Sequence, residues 1–586
     1  MTGRSEAAAA RHSDRELGRR RSRAFAVAAC ALAVAATVAS FSPSLRNEFV
    51  FWDDHIAIQT NPHIRGLGLE NIRWMFTSFH LGPYQPIAWL SLAADYAMWG
   101  LNPFGFHLTS LVVHTMNGLL VFALSLVLLE RAERAGGARG SRLADGTLAD
   151  TDDDGVASRG ALLIGATISA LLFAIHPLRV ESVAWATERR DVLMGFFLLL
   201  STLAYVRAVS GASDAPRRRG LVLSQALYLL ALLSKSSALG FPVVLLLIDA
   251  AILRRLPLDP RRWFDTESRP VLIEKLPYAL IAIVLAVAAL RGQEEARAIR
   301  DAGEAGIERR IGAPIYSPAF YLWKLVAPAG LSPLYEAPRD FARMRPAVIA
   351  SAIVLAAITI VALSQRKRRP ALAAAWFSYA VLLAPVSGLV PIGSHVAADR
   401  YTYVAMLPFA LLAGGAAVEL FRERRRDAAM PRAVTGVTRR ALIAVLFVVV
   451  LFASLGLATA RQTRVWRDSL SLWDHALRID KGSAIAHYGR GFALWSLDQE
   501  DAAVASYREA IRLSPDYADA HNNLGTILAQ RGALDDAEQH FLAAERGAPA
   551  NASSQYNLGI IAGKRGRLDE AAARYRRALA LKPEMS

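Results

Sequence analysis

The sequence predicts an all-α protein, a polytopic membrane helix bundle followed by an array of short helical hairpins. Three observations carry this. Apolar runs long enough to cross a hydrocarbon core as helix, about 17–25 residues each, recur between residues 24 and 460. Basic residues fall unevenly in the segments between them. After residue 466 the apolar runs stop and a repeat of fixed period begins.

Composition points the same way. Of 586 residues, 54% are hydrophobic and 20% charged, against about 25% charged in an ordinary soluble chain. The net charge of +16 sits in short Arg runs between apolar stretches. A nucleic-acid binder gathers its basic residues on a folded face instead, so no nucleic-acid partner is expected. The single cysteine, Cys30, excludes an internal disulfide framework and a Cys-based metal site.

About eleven spans are read, near 24–42, 106–129, 160–176, 191–209, 221–236, 239–253, 272–291, 346–364, 371–390, 402–421 and 440–460. Lys and Arg stay on the cytoplasmic side. The segment 1–23 carries Arg15, Arg19, Arg20, Arg21 and Arg23 and is therefore the cytoplasmic N-terminus. The Arg-rich loops 217–219, 254–262, 366–369 and 422–426 then fall on the same side, and the long loop 43–105 falls outside. The apolar stretch 315–330 breaks this pattern if counted as a span, so it is read as amphipathic or re-entrant on the outer side. The first span is an uncleaved signal-anchor, with Val38-Ala39-Ser40 as the alternative cleavage site. The odd count sends the C-terminus outside. An Ala- and Arg-rich composition suggests a bacterial inner membrane, with the repeats on the periplasmic side.

The multispan domain is read as 24–465 and the soluble domain as 466–586. In the latter, Pro515, Pro549 and Pro583 are spaced by 34 residues, as are Gly491, Gly525 and Gly559. Ala503, Ala537 and Ala571 keep the same period, with Tyr507, Phe541 and Tyr575, and with Ala510, Ala544 and Ala578. This pattern resembles the tetratricopeptide repeat, a helix–turn–helix unit of that length. His487, His521 and Gln555 stand where the repeat usually has Trp, and 466–482 reads as the second half of a degenerate leading repeat. Such an array presents a concave peptide-binding surface; a purely structural array is the alternative.

Four polar clusters flank the spans on the outer side. Asp53 and Asp54 follow Phe49-Val50-Phe51-Trp52; adjacent carboxylates in an aromatic setting push their pKa values apart and leave one suited to accept a proton. The alternative is a helix-capping pair. Residues 176–191 bring Arg179, Arg189 and Arg190 beside Glu181, Glu188 and Asp191, a phosphate-binding set or an internal salt-bridge network. Lys235, in Ser234-Lys235-Ser236-Ser237, would hold a phosphate or snorkel. The fourth is 393–403, with His395, Asp399, Arg400 and Tyr403. No Walker loop, HExxH or GxSxG occurs.

The stretches HPLRVESVAWATERRDVL (176–193), ALLSKSSALGFPVVLLLID (231–249), YLWKLVAPAGLSPLY (321–335) and APVSGLVPIGSHVAADRYTY (384–403) carry a further resemblance. With the repeats behind them, they are similar to the transmembrane and tetratricopeptide-repeat-containing O-mannosyltransferases and their bacterial relatives, over about residues 45–586. The resemblance implies a GT-C-type glycosyltransferase that takes sugar from a polyprenyl-phosphate donor and adds it to protein Ser/Thr hydroxyls outside the cytoplasm. It places the acidic motif at Asp53 and Asp54, Asp53 being favoured as the base. Arg179, Arg189, Arg190, Lys235 and Arg400 would then bind the donor phosphate. Substrate contacts would come from His176, Glu181, Asp191, His395, Asp399 and Tyr403. The segment Leu69–Phe79, with Leu69, Ile72, Met75, Phe76 and Phe79 on one helical face, would lie on the membrane and frame the site. Membrane lipids and an acceptor protein held by the repeats are the expected partners. No metal ligand is assigned, and the acidic pair is compatible with a divalent metal or with none. A membrane-anchored repeat scaffold and a transporter of lipid-linked sugar are the competing readings.

Overall fold

The computed structural model describes residues 2–140, 152–211, 213–295, 306–338, 340–390, 393, 395–428 and 439–582. Ser394 and Pro583, singled out in the sequence, lie outside the described residues. The described chain is helical apart from a two-stranded antiparallel pair, β1 (Tyr335–Glu336) and β2 (His395–Ala397), with Tyr335 opposite Ala397 and Glu336 opposite His395. It divides into two compact units. One takes the chain up to Asn47, Ala57–Leu331 and Tyr335–Arg464; the other takes Glu48–Ile56, Ser332–Leu334 and the chain from Val465 on.

The first unit begins with the long helix α1 (Thr2–Phe41). Two helices follow inside the predicted outer loop, α2 (Leu69–Thr77) and α3 (Pro86–Trp99). In α2, Met75 is buried while Leu69 and Phe76 are exposed, and Phe79 lies beyond the helix end. The predicted single apolar face is therefore split, because Met75 turns inward and the helix stops before Phe79. Next come α4 (Pro103–Gly140), α5 (Asp152–Ala174), the short α6 (Val180–Ala184), α7 (Arg189–Val209), α8 (Asp214–Ser234) and α9 (Phe241–Ala251). The remainder is α10 (Arg269–Ile273), α11 (Leu276–Glu295), α12 (Ile307–Val326), α13 (Arg345–Gln365), α14 (Pro370–Leu383), α15 (Thr402–Ala405), α16 (Leu407–Ala428) and α17 (Arg439–Thr463).

Each predicted span overlaps a helix, but 371–390 runs past the end of α14 at Leu383 and 239–253 runs past both ends of α9, so fewer than the eleven spans read are full-length apolar helices. Among the described residues, six helices are long and apolar enough to cross a membrane, and up to eight if each of two bent pairs counts as one span. Phe241–Ala251 and Pro370–Val386 are apolar but shorter. The outward faces of α11, α13 and α17 expose Leu280, Ile283, Val284, Ile349, Ile353, Ile360, Val445 and Phe447. Surfaces of that kind suit hydrocarbon, not water, and the chain is an integral membrane protein. The apolar stretch 315–330 belongs mostly to α12, which starts earlier, at Ile307, and runs through Pro314 and Pro318. Its buried side carries Arg309, Ser317, Tyr321 and Lys324, and its exposed side Ile307, Ile311, Trp323 and Val326. Residues 422–426, predicted as loop, continue α16.

Close packing between α5 and α16 rests on glycine. A Cβ placed on Gly165 would lie 2.6 Å from the Gly414 carbonyl oxygen and equally close to Val418. Small residues at a crossing let two helix backbones approach.

The second unit is the repeat array. After α18 (Ser469–Ile479), the predicted second half of a leading repeat, come the hairpins α19 (Ala484–Trp495) with α20 (Glu500–Leu513), α21 (Ala518–Gln530) with α22 (Leu534–Gly547), and α23 (Ala552–Lys564) with α24 (Leu568–Leu581). The 34-residue signature is steric. A Cβ on Gly491, Gly525 or Gly559 would come within 2.7, 2.8 and 2.7 Å of Tyr507, Phe541 and Tyr575. Glycine on the first helix makes room for the aromatic ring of the second. Ser483 and Asn551 cap their helices by accepting from backbone N–H groups one turn in.

Replacing Gly165 by Val should lower the thermal midpoint of the detergent-solubilised protein through overpacking worth about 1–3 kcal/mol. Gly160→Val on the same helix, where a Cβ meets nothing within 4 Å, should leave it nearly unchanged. Equal shifts for the two variants would refute the tight crossing.

Candidate functional site

The chain breaks its helix at residues 175–188 because the sequence forbids continuation. Pro177 has no N–H to extend α5, and the His176 Nδ1 accepts from the Leu178 N–H at 3.2 Å to start a new turn. The helix bends by 54° there. The same imidazole donates through Nε2 to the Leu325 carbonyl at 3.0 Å. From Pro177 to Arg189 every residue is buried, with Arg179, Glu181, Glu188 and Arg189 among them. Buried charges persist only when paired, and the pairing brings together three of the four clusters.

Arg400 reaches Glu181 twice. Its backbone N–H donates to Oε2 at 2.9 Å and its guanidinium pairs with Oε1. Its Nε also lies 3.4 Å from Glu188 Oε1. Glu188 further accepts from Lys235 Nζ at 2.8 Å and from the Arg190 guanidinium, whose Nε lies at 3.1 Å. Lys235 continues to Asp191 Oδ1 at 2.9 Å, and Ser182 Oγ donates to Asp191 Oδ2 at 3.0 Å. The Glu188 side chain is 0% exposed, whereas Arg190, Lys235 and Arg400 keep 11%, 12% and 11%. The anions therefore lie behind the cations, and a ligand arriving at this cluster meets positive charge first.

Burial alone would raise the Glu188 carboxyl, but Arg190, Lys235 and Arg400 outweigh it and hold the group well below its usual 4.5. His395 is pushed down to about 3 by burial, and then by Arg400 and Arg309. Its ring is neutral, sharing a hydrogen bond of 2.8 Å with the Tyr401 hydroxyl. A small cleft opens beside it, lined by Arg309, Ala313, Val386, Val396 and Tyr401.

Other predicted residues are held differently. Arg179 is buried beneath the Phe173 and Tyr403 rings, 5.1 and 5.6 Å from their centroids, and donates to the Thr402 carbonyl at 2.7 Å. Arg189 pairs with Asp95 at 2.5 Å and donates to the Phe106 carbonyl at 2.6 Å with no exposed surface. The Tyr403 hydroxyl sits between His114 Nδ1 and Asn117 Nδ2, each at 2.8 Å. Asp399 is buried, and its Oδ1 accepts from the Tyr335 hydroxyl at 3.0 Å. Sequence reasoning placed Glu188 in the charged cluster without a donor or substrate role of its own, and passed over Asp95, His114 and Asn117. The last three sit in helices α3 and α4 with no motif to mark them; an ionisable or amide group within an apolar run was the available signal.

Asp53 and Asp54 belong to the second unit. Asp54 is 1% exposed, and its Oδ2 accepts from the Val50 N–H at 3.1 Å. Asp53 is only half-buried. The pair thus divides into an inward carboxylate that closes a turn and a more accessible neighbour. Among the described residues no group of three or more His, Cys, Asp or Glu is gathered to hold a metal ion.

Family models for the TPR repeat and the tetratricopeptide repeat match residues 499–532 and 552–585. Over 209 residues the chain is 32% identical to protein O-mannosyl-transferase TMTC1 of Homo sapiens, covering 33% of this chain and 20% of that protein. It is 28% identical to Homo sapiens protein O-mannosyl-transferase TMTC4 over 180 residues, covering 29% and 22%. Drosophila melanogaster protein O-mannosyl-transferase Tmtc3 is 29% identical over 135 residues, covering 23% and 13%. The chain spans about a fifth of the length of the first two relatives. These relatives bear the name of the family that the motifs resemble. Among solved structures, ArnT from Cupriavidus metallidurans bound to undecaprenyl phosphate aligns over 89% of this chain and 80% of its own, at 15% identity and a TM-score of 0.32.

The ion-pair cluster predicts an acid limb in stability. Because the Glu188 carboxyl is depressed on folding, its contribution is complete above the ordinary value of 4.5 and disappears as pH falls through the folded value. Glu188's share of the thermal midpoint, read as the difference between wild-type and Glu188→Ala melts, should therefore hold from neutral pH down to about 5 and fade below that. Glu188→Ala should cost about 3–5 kcal/mol at neutral pH, since it strands buried cations, and should flatten the acid limb. An unchanged acid limb in Glu188→Ala melts would show that other carboxylates govern it.

Proposed function

We propose that this protein is a membrane glycosyltransferase that moves a sugar from a polyprenyl-phosphate carrier to a Ser/Thr hydroxyl of an acceptor protein on the non-cytoplasmic side. The relatives' names make mannose the first sugar to test. The observation that carries the reading is the cluster of Arg190, Lys235 and Arg400, backed by buried Glu188 and each keeping an accessible edge.

In this reaction Asp53 accepts the proton of the acceptor hydroxyl as its oxygen attacks the anomeric carbon from the side opposite the phosphate. The bond from that carbon to the phosphate oxygen breaks, and the polyprenyl phosphate departs with the electron pair, so configuration inverts. Negative charge on the leaving phosphate grows through the transition state, and preoriented cations stabilise it there more than in the ground state. Glu188 orients those cations. Asp54, bound to the Val50 N–H, holds the turn that presents Asp53.

The test is sugar transfer by the purified full chain in lipid, from a polyprenyl-phosphate-linked mannose to a Ser/Thr-rich acceptor. Asp53→Asn should slow transfer by about 10²–10⁴-fold, the usual weight of general-base catalysis. Lys235→Ala should weaken use of the donor. Transfer by Asp53→Asn at the wild-type rate would move the base elsewhere, and no transfer from wild type with a panel of lipid-linked sugars would reject the enzyme reading.

A further inference from the structure

Within the first unit, the stretch 61–89 folds an aromatic cluster against the start of α3. The His63 ring stacks on Trp74, with centroids 4.4 Å apart and planes 10° from parallel. Trp74 also meets Trp89 at 5.5 Å and His80 at 5.6 Å, and those two rings lie 5.8 Å apart. His63, Trp74 and His80 are half-buried. The turn that carries His80 is strained. Leu81 has a φ of 63°, a left-handed value uncommon for any residue but glycine. Gly82 then packs so closely on α11 that a Cβ on Gly292 would lie 2.1 Å from its carbonyl oxygen. Strain of this kind persists where the surroundings fix it, and it gathers at ligand sites.

Helix α3 ties the cluster to the cations. Gln85 Oε1 accepts from Arg190 Nη1 at 3.2 Å, and the Ser91 carbonyl accepts from Arg189 Nη1 at 3.2 Å. Gln85 and Trp89 are four residues apart and share one helical face. They are 2% and 0% exposed. Among the described residues the Trp89 indole N–H donates to no acceptor, and Gln85 bonds only through its carbonyl oxygen. Buried donors are nearly always paired, so two open ones on one face need a reason. The side chains that the sequence offered for sugar contacts are meanwhile occupied. The Tyr403 hydroxyl lies between His114 and Asn117, both His176 nitrogens bond to backbone, and Asp191 is taken by Lys235 and Ser182.

We infer that His63, Trp74, His80 and Trp89, with Gln85, form a pyranose-binding site that holds the donor's sugar beside the phosphate cations. A pyranose offers a face of C–H groups with partial positive charge, which suits the negative face of an aromatic ring. Its hydroxyl and ring oxygens accept from amide and indole N–H groups. A plain aromatic core would account for the rings, but not for the open donors or for the bond from Gln85 to a cation of the cluster. The inference rests on the reading of Arg190, Lys235 and Arg400 as the phosphate site. It adds the part that tells one donor sugar from another, since a site built to hydrogen-bond hydroxyls rejects ligands that lack them.

The test is binding to the full chain in lipid nanodiscs, with no acceptor present. The probes are polyprenyl phosphates bearing mannose, glucose or N-acetylglucosamine, and polyprenyl methyl phosphate, a diester of the same charge without sugar. Wild type should bind one sugar-bearing lipid about tenfold or more tightly than the methyl diester, the scale of a few matched contacts. Trp74→Leu and Trp89→Phe, the latter keeping a ring but losing the N–H, should erase most of that gap and leave the methyl diester Kd unchanged. Trp74→Phe should keep most of it, and thermal melts check that each variant is folded. No gap in wild type with any of the sugars, or a gap that survives both Trp74→Leu and Trp89→Phe, would overturn the inference. So would equal losses for sugar-bearing and sugar-free lipid. Competition by the methyl pyranoside of the preferred sugar would uphold a site open to a pyranose from any source; an intact gap without competition would uphold one that takes the sugar only on its carrier. A gap lost in the variants, with no sugar transfer by wild type, would uphold the site and count against the proposed reaction. Transfer by wild type with the gap unchanged in the variants would do the reverse.

Discussion

Glu188 has no exposed surface and three cations in reach, Arg190, Lys235 and Arg400, and the first unit is organised around that arrangement. Isolated, a carboxylate in such a place would be too costly to keep charged. Surrounded, it becomes a hub that ties the turn after α6 to the ends of α8 and β2. Removing one partner would leave the others buried and uncompensated, which makes the cluster all-or-none. A phosphate ligand suits such a cluster, because the cations are held in place before it arrives and little reorganisation accompanies binding.

The helix breaks follow from this constraint. Continuous membrane helices satisfy their own backbone and present apolar sides; they offer nothing to an anion. At His176–Pro177 the chain stops, turns by 54° and exposes polar groups to one another. The bend near Met406, 52° between residues 399–405 and 407–421, does the same for Asp399 and Arg400. Between these breaks, His114, Asn117, Tyr403 and Arg179 form a buried polar knot. It pins the loose ends, with His114 Nε2 on the Ala174 carbonyl and Asn117 on the Val192 carbonyl, both at 2.8 Å.

The repeat unit obeys a different physics. Its stability comes from a local motif used three times, glycine against aromatic ring, and its surface is consequently regular. The segment Phe49–Trp52 interrupts that regularity at one end and brings an acidic pair with it.

Several of these features were legible in the sequence because they are local or periodic. Apolar runs marked the membrane helices, and the 34-residue spacing of Gly491, Gly525 and Gly559 marked the array, since each rests on neighbours in the chain. The charged residues were legible as residues and illegible as partners. Arg400 lies 219 positions from Glu181, and Lys235 lies 47 from Glu188; spacing says nothing about pairs so distant. Arg179 and Arg189 looked equivalent to Arg190, yet tertiary packing placed them against aromatic rings and Asp95. What the sequence determined was which segments are helices, which are apolar enough for a bilayer and where the polar residues cluster. What only the tertiary structure decided was which charges neutralise each other and which keep an open edge, because a buried ion is stable only where the fold supplies its partner.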